Sequence, residues 1–136
     1  MTTAHSEQRS EELHKWAARI AGVGGAAALT AGVIAYAILP PIIQVLYGSE
    51  FRPSALVGGL GGGGAVAALA VLFVTQILIA RGRSRVLAIG WLFAAAAAGG
   101  VLGVSGADPL TRVAYAFAIG EITAFAIISL IAYRGN

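Results

Sequence analysis

Long apolar segments, separated by short polar ones, dominate this 136-residue chain. A hydrocarbon core about 30 Å thick is crossed by about 20 helical residues at 1.5 Å each. The pattern therefore predicts an all-α fold, an integral membrane four-helix bundle with up-down topology. Residues 1–15 are expected to form a cytoplasmic N-terminal stub and 16–136 the membrane domain. The four predicted spans are Ile20–Leu39, Ser54–Ala80, Val86–Ala107 and Val113–Tyr133.

Two adjacent prolines, Pro40 and Pro41, follow the first apolar segment. The residue before a proline is disfavoured in the α region, so we expect the first span to end here. The next polar segment, Gly48–Pro53, predicts a defined bend between the first two spans.

The composition excludes most chemistry of soluble enzymes. Charged residues make up 11% of the chain, whereas globular domains carry about 25%. There is no cysteine, and the two histidines, His5 and His14, lie in the stub away from any acidic cluster. Without a Ser/His/Asp set, paired carboxylates or metal-ligand spacing, we expect neither an enzyme nor a bound metal or cofactor.

The positive charges predict an orientation in the bilayer. Arg81, Arg83 and Arg85 lie between the second and third spans, where they would act as topology anchors. Of nine Lys and Arg residues, only Arg52 and Arg112 fall on the other side of the predicted membrane. Because Lys and Arg are enriched in cytoplasmic loops, both termini are expected in the cytoplasm. Arginines placed between two membrane spans also make a nucleic-acid partner improbable.

Glycines in the second and third spans predict close helix packing. Small residues four positions apart share a helix face and let another backbone approach. A flexible break that moves during transport is the alternative interpretation of the glycine run. No Lys-Ser/Thr follows the run, so a phosphate-binding loop is not expected. The predicted packing residues are Gly58, Gly59, Gly62, Gly63, Gly99 and Gly103.

Glu121 is the one charged residue inside a predicted span. An acid near the bilayer centre costs roughly 2.5–3.5 kcal/mol on insertion scales, and such residues usually face a bundle interior or a water-filled cavity. By depth, Thr30 is the best polar partner in the chain and Gln76 matches less well. Three roles stay open for Glu121: a structural, protonated acid bonded to Thr30 or a backbone carbonyl, a proton- or cation-coupling group in transport, and a substrate contact.

Three segments resemble one family of membrane transporters. Leu46–Ser54 is similar to the Leu-Tyr/Phe-Gly-x-Glu-Phe/Tyr-x-x-Ala segment in the C-terminal half of bacterial polysaccharide flippases of the MATE-like superfamily. Gln76–Arg83 resembles the Gln-x-Leu-Leu-Ala-x-Gly-Arg end of the next helix in that family. Arg112–Glu121 resembles the start of a late family helix.

The resemblance covers about the last third of a flippase and implies a multi-pass protein of the bacterial inner membrane. The cargo it implies is a lipid-linked oligosaccharide or polysaccharide precursor, and the partners it implies are the bilayer and a missing N-terminal lobe or other membrane helices. Flippases move cargo between two lobes through a cationic cavity. The predicted spans here contain no Lys or Arg, so that charge would have to come from the missing portion.

Two other functions fit the pattern of spans. A small four-helix dimeric, proton-coupled exporter, similar to the small multidrug resistance family, has this length and one membrane glutamate. The members of that family carry the glutamate in the first span, whereas Glu121 lies in the fourth. A non-transporting membrane scaffold subunit would use the glycine faces to hold partner helices. Export of cationic dyes would favour the exporter, and co-purification with a larger partner without transport would favour the scaffold.

Overall fold

The structure is a computed structural model that describes the backbone of Thr2–Arg134 and the side chains of Lys15, Trp16, Arg19–Arg85 and Leu87–Tyr133. Each of its helices contains a segment long and apolar enough to cross a membrane. The predicted all-α fold with four such helices is therefore confirmed, and it indicates a multi-pass membrane protein. The helices are α1 (Thr2–Tyr47), α2 (Ala55–Ala80), α3 (Ser84–Val104) and α4 (Pro109–Arg134).

Helices α2 and α4 form the centre of the molecule. Helix α1 packs mainly on α2, and α3 packs mainly on α4, whereas α2 and α3 barely meet although they are consecutive. Within the described residues α1 and α3 make no contact. The four helices thus form an open row in the order α1, α2, α4, α3 rather than a closed square bundle.

Helix α1 is longer than the sequence predicts and runs through both prolines. It begins at Thr2 and ends at Tyr47, so the predicted stub and first span belong to one continuous helix. The expectation that Pro40 and Pro41 end the helix is wrong. Each proline removes one backbone donor, and prolines are tolerated in membrane helices when local adjustments satisfy the freed carbonyl groups.

The connection between α1 and α2 is an ordered turn. Gly48 has a φ of 94°, a left-handed conformation that a glycine adopts without strain. Its amide donates to the Gln44 carbonyl at 3.0 Å, and the Phe51 amide donates to the Gly48 carbonyl at 3.1 Å. Ser54 then caps α2 by accepting a hydrogen bond from the Val57 amide at 3.2 Å.

The connection between α2 and α3 is shorter and contains the predicted topology anchors. Arg81 follows the last residue of α2, Arg83 precedes α3, and Arg85 lies in the first turn of α3. Gly82 has a φ of 70°, and its amide donates to the Ile79 carbonyl at 2.9 Å. The three arginines therefore lie where the C-terminal end of α2 meets the N-terminal end of α3.

Glycines bring α1 and α2 close together. A Cβ atom placed on Gly58 would lie 2.9 Å from the Ala35 carbonyl oxygen, and one on Gly59 would lie 3.1 Å from the Tyr36 Cβ. Gly62 faces Ala35 in the same way, and Gly63 would place its Cβ 3.2 Å from the Ala28 carbonyl oxygen. Residues later in α1 contact residues earlier in α2, so the two helices run antiparallel.

Gly99 and Gly103 differ from the glycines of α2. A Cβ added to either residue would meet no atom within 4 Å. These two α3 glycines therefore take no part in helix packing within the described part of the chain.

The core is small, and much of the apolar surface is exposed. Buried residues such as Val71, Leu78 and Ile128 come mainly from α2 and α4. Large side chains on the outer face of α1 are open, with Leu29 75% and Val45 84% exposed. An apolar exterior of this kind is what lipid acyl chains would cover.

Candidate functional site

Glu121 is the middle residue of the α4 span Pro109–Tyr133. The adjacent Gly120 faces α3, where a Cβ would lie 3.2 Å from the Ala98 Cβ and 3.6 Å from the Ala94 carbonyl oxygen. The absence of a side chain at Gly120 therefore lets α3 approach α4 beside the acid.

Glu121 is one of the residues that border a groove of about 370 Å³ between α3 and α4. Alanines and other apolar side chains form most of the groove, among them Ala95, Leu102 and Val113. Trp91 from α3 and Phe117 from α4 add two aromatic rings. Glu121 is therefore the one charged group in an otherwise apolar groove.

One oxygen of Glu121 is in an unusual position. Oε2 is buried, and it makes no hydrogen bond with any residue that the structure describes. A buried polar atom without a partner costs about 1–3 kcal/mol, and more when it is charged. Oε2 is therefore an acceptor that the described residues leave without a donor.

The hydrogen bond between Glu121 and Thr30 that the sequence suggests is not formed. Thr30 is exposed on the outer face of α1, and its hydroxyl donates to the Ala26 carbonyl at 2.9 Å. Helix α1 packs mainly on α2, whereas Glu121 borders the groove between α4 and α3, so the two side chains lie on different sides of the central helices.

The other residues singled out from the sequence also lie apart from Glu121. Gln76 is exposed near the end of α2. Arg112 is nine positions before Glu121 on α4, about 13 Å along the axis at 1.5 Å per residue. Its guanidinium donates to the Ala107 carbonyl at 3.2 Å. The structure thus brings neither of the two predicted polar partners, Thr30 and Gln76, into the groove.

Sequence reasoning missed Trp91, and helical spacing alone does not distinguish the positions of Phe117 and Phe125. Helical spacing puts Phe117 and Phe125 on the same face of α4 as Glu121. Only Phe117 borders the groove, because the Phe125 ring packs on Gly24 and Gly25 of α1. Trp91 could have been suspected from its position one turn before the small residues Ala94 and Ala95.

Two further hydroxyl groups were also missed. Thr75 Oγ1 and Ser129 Oγ are buried without a hydrogen-bond partner among the described residues. They belong to the central helices α2 and α4.

The described residues contain no group of three or more His, Cys, Asp and Glu that could hold a metal ion. The side chains of His5 and His14 lie outside the described part.

No family model, curated protein or solved structure matches this chain. Its function must therefore be argued from the geometry and from the sequence motifs.

Proposed function

We propose that this chain forms part of a membrane transporter in which Glu121 lines the route of the cargo or of a coupling ion. The carrying observation is that Glu121, a mid-span acid that borders the apolar α3–α4 groove, has a buried Oε2 atom without a hydrogen-bond partner among the described residues. Ionisable residues at this depth typically mark substrate pathways or proton relays. A purely structural acid would be expected to have a hydrogen-bond partner inside the chain.

The cargo we propose is a lipid-linked oligosaccharide or polysaccharide precursor, moved across a bacterial inner membrane. Support comes from the flippase-like segments Leu46–Ser54, Gln76–Arg83 and Arg112–Glu121. The antiparallel contacts of α1 with α2 are consistent with an up-down arrangement. The arginine-rich end formed by Arg81, Arg83 and Arg85 supports cytoplasmic termini. Further helices, supplied by a missing lobe or another subunit, would close the groove and provide positive charge.

Glu121→Gln tests this role directly. Cells lacking the native protein would be complemented with each variant, and polysaccharide export would be measured at two external pH values. We expect Glu121→Gln to lose export or its pH dependence, because the amide cannot take up and release a proton. Asp108→Asn, an exposed carboxyl-to-amide change just before the α4 span, is the matched control and should export normally. Wild-type export by Glu121→Gln at both pH values, with equal protein in the membrane, would refute the proposal.

The mass of the native polypeptide tests the flippase assignment separately. An antibody to Ile128–Asn136 would be used on membranes of the source organism. A band several times heavier than 13.7 kDa supports a lobe of a full flippase. A band near 13.7 kDa, with efflux of cationic dyes that depends on Glu121, would instead support the small dimeric exporter.

A scaffold subunit is the second candidate, and the open glycines of α3 favour it. Gly99 and Gly103 offer close approach to another helix but are not used within the described part of the chain. Co-purification of a larger membrane partner that is lost in Gly103→Leu, together with normal transport by Glu121→Gln, would favour this role.

A further inference from the structure

A second groove lies between α1 and α2, away from Glu121. Its volume is about 550 Å³, within the range of small-molecule sites. Gly24 and Ala70 form its floor, where the helices touch so closely that a Cβ on Gly24 would lie 2.8 Å from the Ala70 Cβ. Val23 and Phe73, exposed by 70% and 68%, are among the apolar side chains of its walls.

The groove changes from charged to apolar along its length. Arg19 is the one charged residue among the described residues that line it, and it directly precedes the first predicted span, Ile20–Leu39. The Arg19 guanidinium lies 5.9 Å from the centre of the Trp16 ring. Lys15 is exposed one helical turn before Arg19 and adds a second positive charge on the same side of α1.

We propose that this groove binds one anionic phospholipid. The phosphate would lie against Arg19 and Lys15, and an acyl chain would follow the apolar walls past Val23 and Phe73. Trp16 belongs at the level of the headgroups, where indole rings are enriched. Basic pockets between membrane helices bind anionic headgroups in this way. This inference does not depend on the proposed transport function.

Charge and position favour a lipid over the other possible occupants. A free phosphate ion would contact Arg19 but would leave the apolar walls uncovered. A partner helix would bury the Arg19 guanidinium, which is costly unless an acid pairs with it. A phospholipid meets both requirements at once, because its charge lies at the interface and its chains lie in the hydrocarbon core.

Fluorescence quenching by brominated lipids can measure this binding. The chain has two tryptophans, so Trp91→Phe leaves Trp16 as the sole reporter. The full-length protein would be reconstituted in phosphatidylcholine vesicles with equal small fractions of brominated phosphatidylglycerol or brominated phosphatidylcholine. The ratio of the two quenching efficiencies reports the local enrichment of the anionic lipid and is independent of the unquenched intensity.

We expect phosphatidylglycerol to be enriched about fivefold around Trp16, the ratio that corresponds to about 1 kcal/mol for a basic residue near an anionic lipid. Arg19→Gln should lower the ratio, and Arg19→Gln combined with Lys15→Gln should bring it close to one. Arg85→Gln removes a charge from the arginine-rich end outside the groove and should leave the ratio unchanged. Val23→Phe, which narrows the groove from an exposed wall position, should also lower it.

Equal quenching of Trp16 by the two lipids, in the Trp91→Phe protein with no change in the groove, would overturn the proposal. An equal loss of enrichment in Arg19→Gln and Arg85→Gln would overturn it as well, because it would indicate diffuse attraction to the whole basic end. Enrichment that Val23→Phe leaves untouched would show that the acyl chain does not occupy the groove.

Discussion

The glycine run of α2 allows a sharp test of how α1 is held. Gly61 and Gly62 are neighbours in sequence, but they face different surroundings. A Cβ on Gly62 would collide with the Ala35 Cβ and lie 3.3 Å from the Ala31 carbonyl oxygen. A Cβ on Gly61 would meet nothing within 4 Å. Alanine at the two positions should therefore have opposite effects on the stability of the α1–α2 pair.

The expected magnitude follows from two opposing terms. Replacing glycine by alanine inside a helix favours the helix by about 0.8–1.0 kcal/mol at either position. Overpacking at Gly62 costs about 1–3 kcal/mol, because the atoms in the way belong to the backbone and Cβ of α1 and cannot rotate aside. The helix term cancels when the two variants are compared. We therefore expect Gly62→Ala to be less stable than Gly61→Ala by about 1–3 kcal/mol.

Unfolding in mixed micelles measures this difference. Both substitutions would be made in the Trp91→Phe background, so that Trp16 on α1 reports the release of α1 from α2. Titration of the folded protein with sodium dodecyl sulfate then gives a free energy of unfolding for each variant. Equal stability of the two variants, or a lower stability of Gly61→Ala, would refute the packing argument.

Two other contacts make independent predictions. Hydrogen bonds from the side chain and the amide of Thr111 hold the pKa of Asp108 below its ordinary value, so this cap of α4 is intact at neutral pH and is lost as the pH falls through the lowered pKa. Asp108→Ala should therefore speed hydrogen exchange of the Thr111 amide, whereas Asp108→Asn should not, because the asparagine side chain can still accept the hydrogen bond. Unchanged exchange in the alanine variant would contradict the cap. A Cβ on Gly64 would lie 2.8 Å from the Phe117 ring, so Gly64→Ala should push the ring from α2 towards the Glu121 groove. The fluorescence of Trp91, measured in a Trp16→Phe background, should then shift, whereas Gly61→Ala should leave it unchanged.

The spans were predictable because the bilayer sets a minimum length for an apolar helix. Their ends were less predictable, since a helix can continue past the apolar segment into water or past a proline. Helix α1 does both, beginning at Thr2 and including Pro40 and Pro41. The sequence rule for prolines comes from helices whose lost hydrogen bonds are not otherwise compensated, and it fails for this membrane helix.

The sequence allows the depths of Glu121 and Thr30 to be compared, but it does not show whether the two side chains meet. Depth follows from counting residues along each helix at 1.5 Å per residue. Whether the side chains meet depends on tertiary contact between helices, and α1 contacts mainly α2 while Glu121 borders the groove against α3. Because that contact involves residues far apart in sequence, periodicity within one helix could not reveal it. The same limit explains why Trp91 was missed as a neighbour of the acid.

The order of the helices assigns different mechanical roles to α1 and α3. Helix α1 is held by α2 from Gly24 to Leu39 and also touches α4, where the Phe125 ring packs on Gly25. Helix α3 depends on α4 alone for nearly all its contacts, through small residues such as Gly90 and Ala98. A helix attached along one face can tilt without breaking a second interface. In the transporter that we propose, α3 is therefore the element whose movement would widen or close the groove at Glu121, while α1, α2 and α4 move as one body.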